Sequence, residues 1–418
     1  MSRSDWDWRR WGTASDLIHQ SDLNGLVGKF GCPEQFRRKK IERATEGTRT
    51  YESAGGKLSA GNAVHSVIHR ILKSDRARAT VLRYPLTASD QRIKPLSIAA
   101  AYDGEFESEV RGRPVDWYRT NPEKHRDDCL AMLGGLFENF SAHVGEVMLP
   151  EAAFVYPLDG LWLTGSIDLI YRARLPSGAV SPRVSFADWK TGAQRPHQID
   201  LDHGWQSGIY AGALREAYFV PHDNVRPVEG ERHRDTVERV CGEIASAWQR
   251  QIETLDPRTK ALATDINDAR ASLERVIAKH GAVRFDEYPE QIRYVHLRDY
   301  IPYARKTARM LDRPEELVWA GLESPTKVSF AAGDWRGPAW YRVQRAESDL
   351  PRLRHLLRAV VSWVRFGRFP AAPGEMCSRC RFREPCLLDG YQPIGDEAAN
   401  VERVSRAVDF DGITFDDL

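Results

Sequence analysis

The stretch Gly165–Gly192, GSIDLIYRARLPSGAVSPRVSFADWKTG, decides how the rest of the chain is read. Two runs rich in aromatic and β-branched residues flank a Pro/Ser/Gly turn, LPSGAVSPR, a pattern that predicts two antiparallel strands. Immediately upstream, EAAFVYPLDGLWLTG adds a third strand with a turn at Leu158–Gly160, so a meander is expected from Glu151 to Gly192. Residues two apart on a strand share a face, which sends Asp188 and Lys190 out together. Asp168 interrupts an apolar run between Ile167 and Leu169, where a carboxylate is costly unless it is paired or binds a cation. The hairpin sets Asp168 and Asp188 side by side, and close carboxylates repel unless a proton or a divalent metal lies between them. Such an oxygen-rich site suits Mg²⁺ or Mn²⁺. The plain alternatives are a surface ion pair for the D-x-K triplet and a turn-capping role for Asp168.

Working outward, Val64, Val67, Ile68 and Ile71 in AVHSVIHRIL fall at helical spacing. That helix carries His65, which joins the acidic site if the helix packs on the sheet, and His69 one turn later. A His65–His69 zinc pair is the rival reading. A second helix is expected across CLAMLGGLFENFSAHV, and another across DHGWQSGIYAGALREAYF directly after the meander. On the latter, Gln206 and Tyr210 are four apart and share a face, where an amide and a phenol suit phosphates or sugar edges, or simply decorate the surface. Residues 222–290 read as a polar helical insertion, Gln291–Ile301 as a further strand, and SDLPRLRHLLRAVVSWVRFGRF as a late helix. Residues 1–29 form an N-terminal extension and 391–418 an acidic, flexible tail.

Cys377, Cys380 and Cys386 form C-x2-C-x5-C, and Cys32 stands alone more than 300 residues upstream. They make a four-thiolate site if the chain ends meet; the 1+3 spacing is a weaker match to zinc and acceptable for an iron–sulfur cluster. Cys129 and Cys241 sit in partly apolar helical contexts and read as core residues.

Bulk properties constrain less. Sixty basic and 59 acidic residues among 418 leave a net charge of +1, so any argument for a polyanionic partner must be local. Two clusters qualify: Arg37, Arg38, Lys39 and Lys40; and Arg352, Arg354, Arg358, Arg365 and Arg368, interleaved with Trp363, Phe366 and Phe369. Basic and aromatic side chains together suit single-stranded nucleic acid; a solvated helix face is the bland equivalent. No apolar run approaches the roughly 18 residues of a membrane span, and the N-terminus lacks a signal-peptide core. An intracellular, cytoplasmic or nucleoid-associated protein with reduced thiols is expected.

Taken in order, Cys32, Gly61–His65 (GNAVH), Gly165–Asp168 (GSID), Asp188–Gly192 (DWKTG), Gln206–Tyr210 (QSGIY) and the three late cysteines resemble the RecB-like nucleases of the PD-(D/E)XK superfamily. The similar branch carries an iron–sulfur cluster, as in the CRISPR-associated RecB-like exonucleases and the AddB nuclease domain. The resemblance implies an α/β restriction-endonuclease-like core over residues 30–390, with a central mixed sheet flanked by helices and a cysteine cluster at 377–386. It implies His65, Asp168, Asp188 and the Trp189 carbonyl as ligands of Mg²⁺ or Mn²⁺, with Asp168, Asp188 and Lys190 catalytic. Glu151 aligns with an acidic position that often opens the family's first strand. Gln206 and Tyr210 would hold DNA, and Cys32, Cys377, Cys380 and Cys386 a [4Fe-4S] cluster that ties the two chain ends together. The implied activity is a metal-dependent exonuclease on single-stranded DNA or DNA ends, in repair, recombination, CRISPR adaptation or phage-related processing. With no G-x-x-x-x-G-K-[ST] phosphate loop, a helicase or other DNA-processing protein would be a separate partner. The alternatives are a nuclease-fold DNA-binding adaptor and a zinc-stapled nuclease.

Overall fold

The computed structural model describes residues 11–27, 32–46, 54–83, 95–117, 121–192, 198–301 and 339–366, together with Phe369 and Cys380, apart from positions 12, 16, 159, 203, 227, 229–232 and 260. The N-terminal half runs β1 Ile18–His19, α1 Gln20–Val27, α2 Pro33–Glu46, β2 Ala54–Gly55, α3 Gly56–Lys73, α4 Asp75–Arg83, α5 Pro95–Val110, β3 Val115–Asp116 and α6 Pro122–His143. The predicted meander follows as β4 Val144–Leu158, β5 Leu161–Arg174 and β6 Val180–Lys190. After it come α7 Gln198–Asp202, α8 Trp205–Glu216, β7 Tyr218–Val220, α9 His233–Leu255, α10 Ala263–His280, β8 Ile292–His296, β9 Trp340–Arg342 and α11 Asp349–Phe366.

The sheet has the order β7-β4-β5-β6-β8-β9. The meander is antiparallel throughout, whereas β8 joins β6 in parallel, pairing Asp188 with Tyr294 and Lys190 with His296. The sheet is therefore mixed, as expected. β6 covers only the Leu169–Arg174 end of β5, and β1 pairs in parallel with Leu163 and Thr164 at the end left free.

Helices cover both faces because the inner strands are apolar on both sides, which is how buried strands differ from half-exposed ones. Phe154, Leu163 and Phe186 pack against α1, α8 and α11 through Leu23, Ile209 and Leu357. Leu169, Tyr171 and Trp189 pack against α3 and α6 through Val64, Ile68, Leu136 and Phe137. Val155, Trp162 and Val220 pack against α9 through Val237, Val240 and Ile244.

Several local expectations shift. β4 starts at Val144 rather than Glu151, and the end of the expected helix through Phe219 is the edge strand β7. Aromatic and β-branched residues in Tyr218–Val220 fit an edge strand better than a helix end. The strand expected over Gln291–Ile301 stops at His296 and continues as a 3-10 turn, Leu297–Tyr300. Segment 222–290 is helical as read, but it is not an appendage: α9 supplies one whole side of the third core. Residues 1–10 and 391–418 lie outside the described residues.

Because Ile244 is fully buried there, Ile244→Ala is expected to lower the unfolding free energy of the whole protein by about 2–5 kcal/mol. Denaturant unfolding should show one transition moved to lower concentration; a separate early transition would mean that the insertion folds as its own unit.

Candidate active site

Two glycines of the sequence motifs are packing devices. A Cβ on Gly61 would lie 2.8 Å from Thr191 Oγ1, so a glycine here lets α3 close on the end of β6. His65 stands one turn further along the same helix. A Cβ on Gly165 would lie 2.6 Å from Gln20 Cγ and 3.0 Å from the Phe154 ring, so its absence lets α1 and β4 crowd the strand just before Asp168.

At Asp168 the pleat of β5 reverses. Leu161, Leu163 and Ile167 face the first core, but Leu169, Tyr171 and Ala173 face the second, although all are odd-numbered. Opposite, the register Pro150↔Leu169 and Ala152↔Ile167 sets Glu151 across from Asp168. Glu151 has φ 50°, in the left-handed region that non-glycine residues rarely occupy. Strain of this kind persists where the surroundings over-determine the backbone, and it gathers at functional sites. Here it accompanies the switch of faces that turns both carboxyls to one point.

The resulting cluster is compact. His65 Nδ1 lies 3.6 Å from Asp168 Oδ1 and 3.7 Å from Glu151 Oε1. The backbone amide of Trp189 donates to Asp168 Oδ2 at 2.6 Å. Lys190 Nζ lies 2.9 Å from Asp188 Oδ1 and 2.7 Å from Oδ2. The Gln206 amide donates to Asp188 Oδ1 at 3.0 Å and contacts the Tyr210 hydroxyl at 2.9 Å, while Tyr210 donates to the Ser166 carbonyl at 2.7 Å. Tyr210 is 2% exposed, so its hydroxyl works inside the protein; Gln206 is half-buried.

Burial raises the Glu151 and Asp188 carboxyls, and neighbouring carboxylates add to the effect. Burial pushes Asp168 the same way, but the His65 and Lys190 charges and the Trp189 amide outweigh it and hold Asp168 below its usual range. For His65 burial favours the neutral ring, yet Asp168 and Glu151 together lift it to about 10. Lys190 is likewise raised despite burial, by Asp188 and Asp168. Glu151 and Asp168 gather at His65 with Asp188 on the adjoining strand, and because burial makes Glu151 and Asp188 reluctant to ionise, the set is one that a divalent cation fits by supplying the missing charge. His65, Glu151 and Asp168 offer ligand atoms within 4.8 Å of one another.

Of this cluster, His65 and Glu151 open on a cleft of about 1300 Å³ that Lys57, Arg70, Lys73, Lys124, Arg298 and Thr191 also line; Asp168, Asp188 and Lys190 lie behind that wall. The model of the PD-(D/E)XK nuclease superfamily matches residues 31–387. The chain belongs to this superfamily. A comparison with curated proteins gives no match.

In this PD-(D/E)XK chain, then, His65, Asp168, Asp188, Lys190, Gln206 and Tyr210 are brought together from α3, β5, β6 and α8. The Trp189 ring turns away into the second core, 5.6 Å from Trp340. Cys380 Sγ accepts a hydrogen bond at 3.2 Å from Gln35, three residues after Cys32, so the two chain ends do meet. Cys377 and Cys386 lie outside the described residues. Cys129 and Cys241 are buried, and burial raises both thiols.

Two residues gain weight from the structure. Glu151 enters the cluster itself. His296, beside Lys190 across β8, lies 2.9 Å from the Gly192 carbonyl and 3.3 Å from Asp299, which accepts from Tyr341. It braces the turn after Lys190, a role that no motif marks. Of the early basic cluster, Arg37 and Arg38 pair with Glu34, Lys39 with Gln35 and Lys40 with Asp22, so these side chains serve α2 and its neighbours. In α11, Arg354 pairs with Glu216 whereas Arg352 is exposed; Arg368 lies outside the described residues. Among the described residues no helix is long and apolar enough to cross a membrane.

His65 makes a pH prediction. A raised imidazole pKa contributes stability that is complete below the unfolded value of 6.5 and lost as pH rises through about 10. In the cation-free protein, NMR titration of the His65 ring should place its midpoint well above 6.5, and Mg²⁺ or Mn²⁺ should lower it by competing for the same carboxylates. A midpoint near 6.5 without cation would contradict this picture.

Proposed function

We propose that this superfamily member is a divalent-cation-dependent deoxyribonuclease of the RecB-like type, acting as an exonuclease on single-stranded DNA or DNA ends. The observation that carries the proposal is the cluster of His65, Glu151 and Asp168 at the point where β5 changes faces, with the Asp188–Lys190 pair on the adjoining strand. His65, Asp168, Asp188 and the Trp189 carbonyl, with Glu151 added, are assigned to hold Mg²⁺ or Mn²⁺. When bound, that cation supplies Lewis-acid polarisation of the phosphate and a lowered pKa for the attacking water.

The chain's own residues do the rest. Lys190 is held by Asp188 and stays charged, so it serves as a point charge that orients the water and stabilises negative charge developing on the phosphate, not as a base. The Trp189 amide fixes one oxygen of Asp168 and leaves the other toward His65. Gln206, steadied by Tyr210, sets the orientation of Asp188, and as the more exposed of the two it is the member of the pair assigned to touch the DNA strand. The basic side chains Lys57, Arg70, Lys73 and Lys124 along the cleft suit a phosphate backbone.

We further assign Cys32, Cys377, Cys380 and Cys386 to a [4Fe-4S] cluster. The contact between Cys380 and Gln35, beside Cys32, and the motif order favour it. A helicase or other DNA-processing partner, and a cytoplasmic or nucleoid-associated setting, remain part of the reading.

End-labelled linear single-stranded DNA should be degraded with Mg²⁺ or Mn²⁺, and a circular single strand should resist. Lys190→Ala and Glu151→Gln should each lose about 100-fold or more in rate while keeping a wild-type circular dichroism spectrum. Full activity in Lys190→Ala would sink the mechanism, and cleavage of the circle would make the enzyme an endonuclease. The cysteine assignment is separable: anaerobically purified protein should be brown and carry iron, and Cys380→Ser should be bleached. Colourless protein with one zinc would identify a zinc staple.

A further inference from the structure

The two histidines of α3 are one turn apart, yet they join different groups. His65 faces Glu151 and Asp168, whereas His69 meets His222, with ring centroids 4.2 Å apart and planes inclined by 55°. His222 opens the 3-10 turn His222–Asn224, which leads from β7 into the helical insertion. We propose that His69, His222 and Asp223 form a second divalent-cation site, taking a borderline transition metal such as Zn²⁺ and latching this turn to α3.

Three observations support the site. The candidate ligand atoms of the three residues all lie within 4.8 Å of one another, so small side-chain rotations bring them to the roughly 2.0–2.2 Å of Zn–N and Zn–O bonds. The donor set differs in kind from the catalytic one: two imidazoles and one carboxylate favour Zn²⁺ over Mg²⁺, which prefers oxygen alone. The turn is also held in place, since the Asn224 side chain donates to the His280 carbonyl at 2.9 Å, the Val225 amide to the His222 carbonyl at 2.9 Å, and Val225 is buried. Two of the ligands are thus presented from a hydrogen-bonded turn to the helix face that carries His69.

Lys73, the next residue along that face, pairs with Asp223. It keeps the carboxylate turned toward α3 and acts as the competitor that a cation displaces; being half exposed, it can withdraw into water at little cost. Both imidazoles line the cleft, so an ion there is reachable from solvent, and three protein ligands leave a fourth position for water.

The site can be tested without DNA, so its failure is distinct from failure of the nuclease assignment. Zn²⁺ alone is titrated by calorimetry into the wild-type protein, His69→Ala and His222→Ala, with folding checked by circular dichroism. Each variant should take up one equivalent fewer than wild type, or bind that equivalent at least tenfold more weakly, whatever the cysteines and the catalytic carboxylates bind. Zn²⁺ should also raise the melting temperature of wild type more than that of His222→Ala, as mass action requires of a ligand specific to the folded state. Should an alanine variant fail to fold, Asp223→Asn, at an exposed carboxylate, must show the same weakening. Equal stoichiometry and affinity in wild type and folded variants would overturn the proposal.

Discussion

The crowding of Glu151 and Asp168 against His65, with the Asp188–Lys190 pair on the adjoining strand, is the constraint on which the rest of the structure turns. Neighbouring carboxyls largely shielded from water repel one another, and the surrounding fold is arranged to hold them there regardless. β5 changes faces at Asp168, Glu151 accepts a left-handed backbone, and Gly61 and Gly165 give up side chains so that helices can press in. The charge is offset locally by His65 and Lys190 and by the Trp189 amide. A donor set of this kind has charge and geometry that a divalent cation would complete.

The same geometry sorts residues that look equivalent in one dimension. His65 and His69 share a helix face, but the end of β6 stops beside the first and the β7-to-insertion turn beside the second. One imidazole therefore joins oxygen donors and the other a second nitrogen donor. The insertion, which has no motif, enters the cleft through that turn and the core through α9.

Much of the fold was legible in the chain. The meander, the flanking helices and the mixed sheet follow from alternation, turn residues and helical spacing, because those patterns reflect local backbone preference. Short elements were missed for the opposite reason: β1, β7 and β9 are two or three residues long and exist only because a longer strand offers them an edge. The site was legible where a motif repeats a local geometry, as in D-x-K on one strand face. Glu151 was marked by its place at the opening of the first expected strand, but its partners depend on a reversal of pleat that no local pattern encodes. His296 carries no signal, since its role comes from a parallel neighbour more than 100 residues along the chain.

By itself, then, the sequence determined which residue types could do the chemistry and in what order they occur, because spacing along a strand or helix sets which side chains share a face. Tertiary structure alone decided which of them share a point. Convergence depends on register, on close helix–strand approach at two glycines, and on one strained residue. All three are properties of packing between segments that are far apart in the chain.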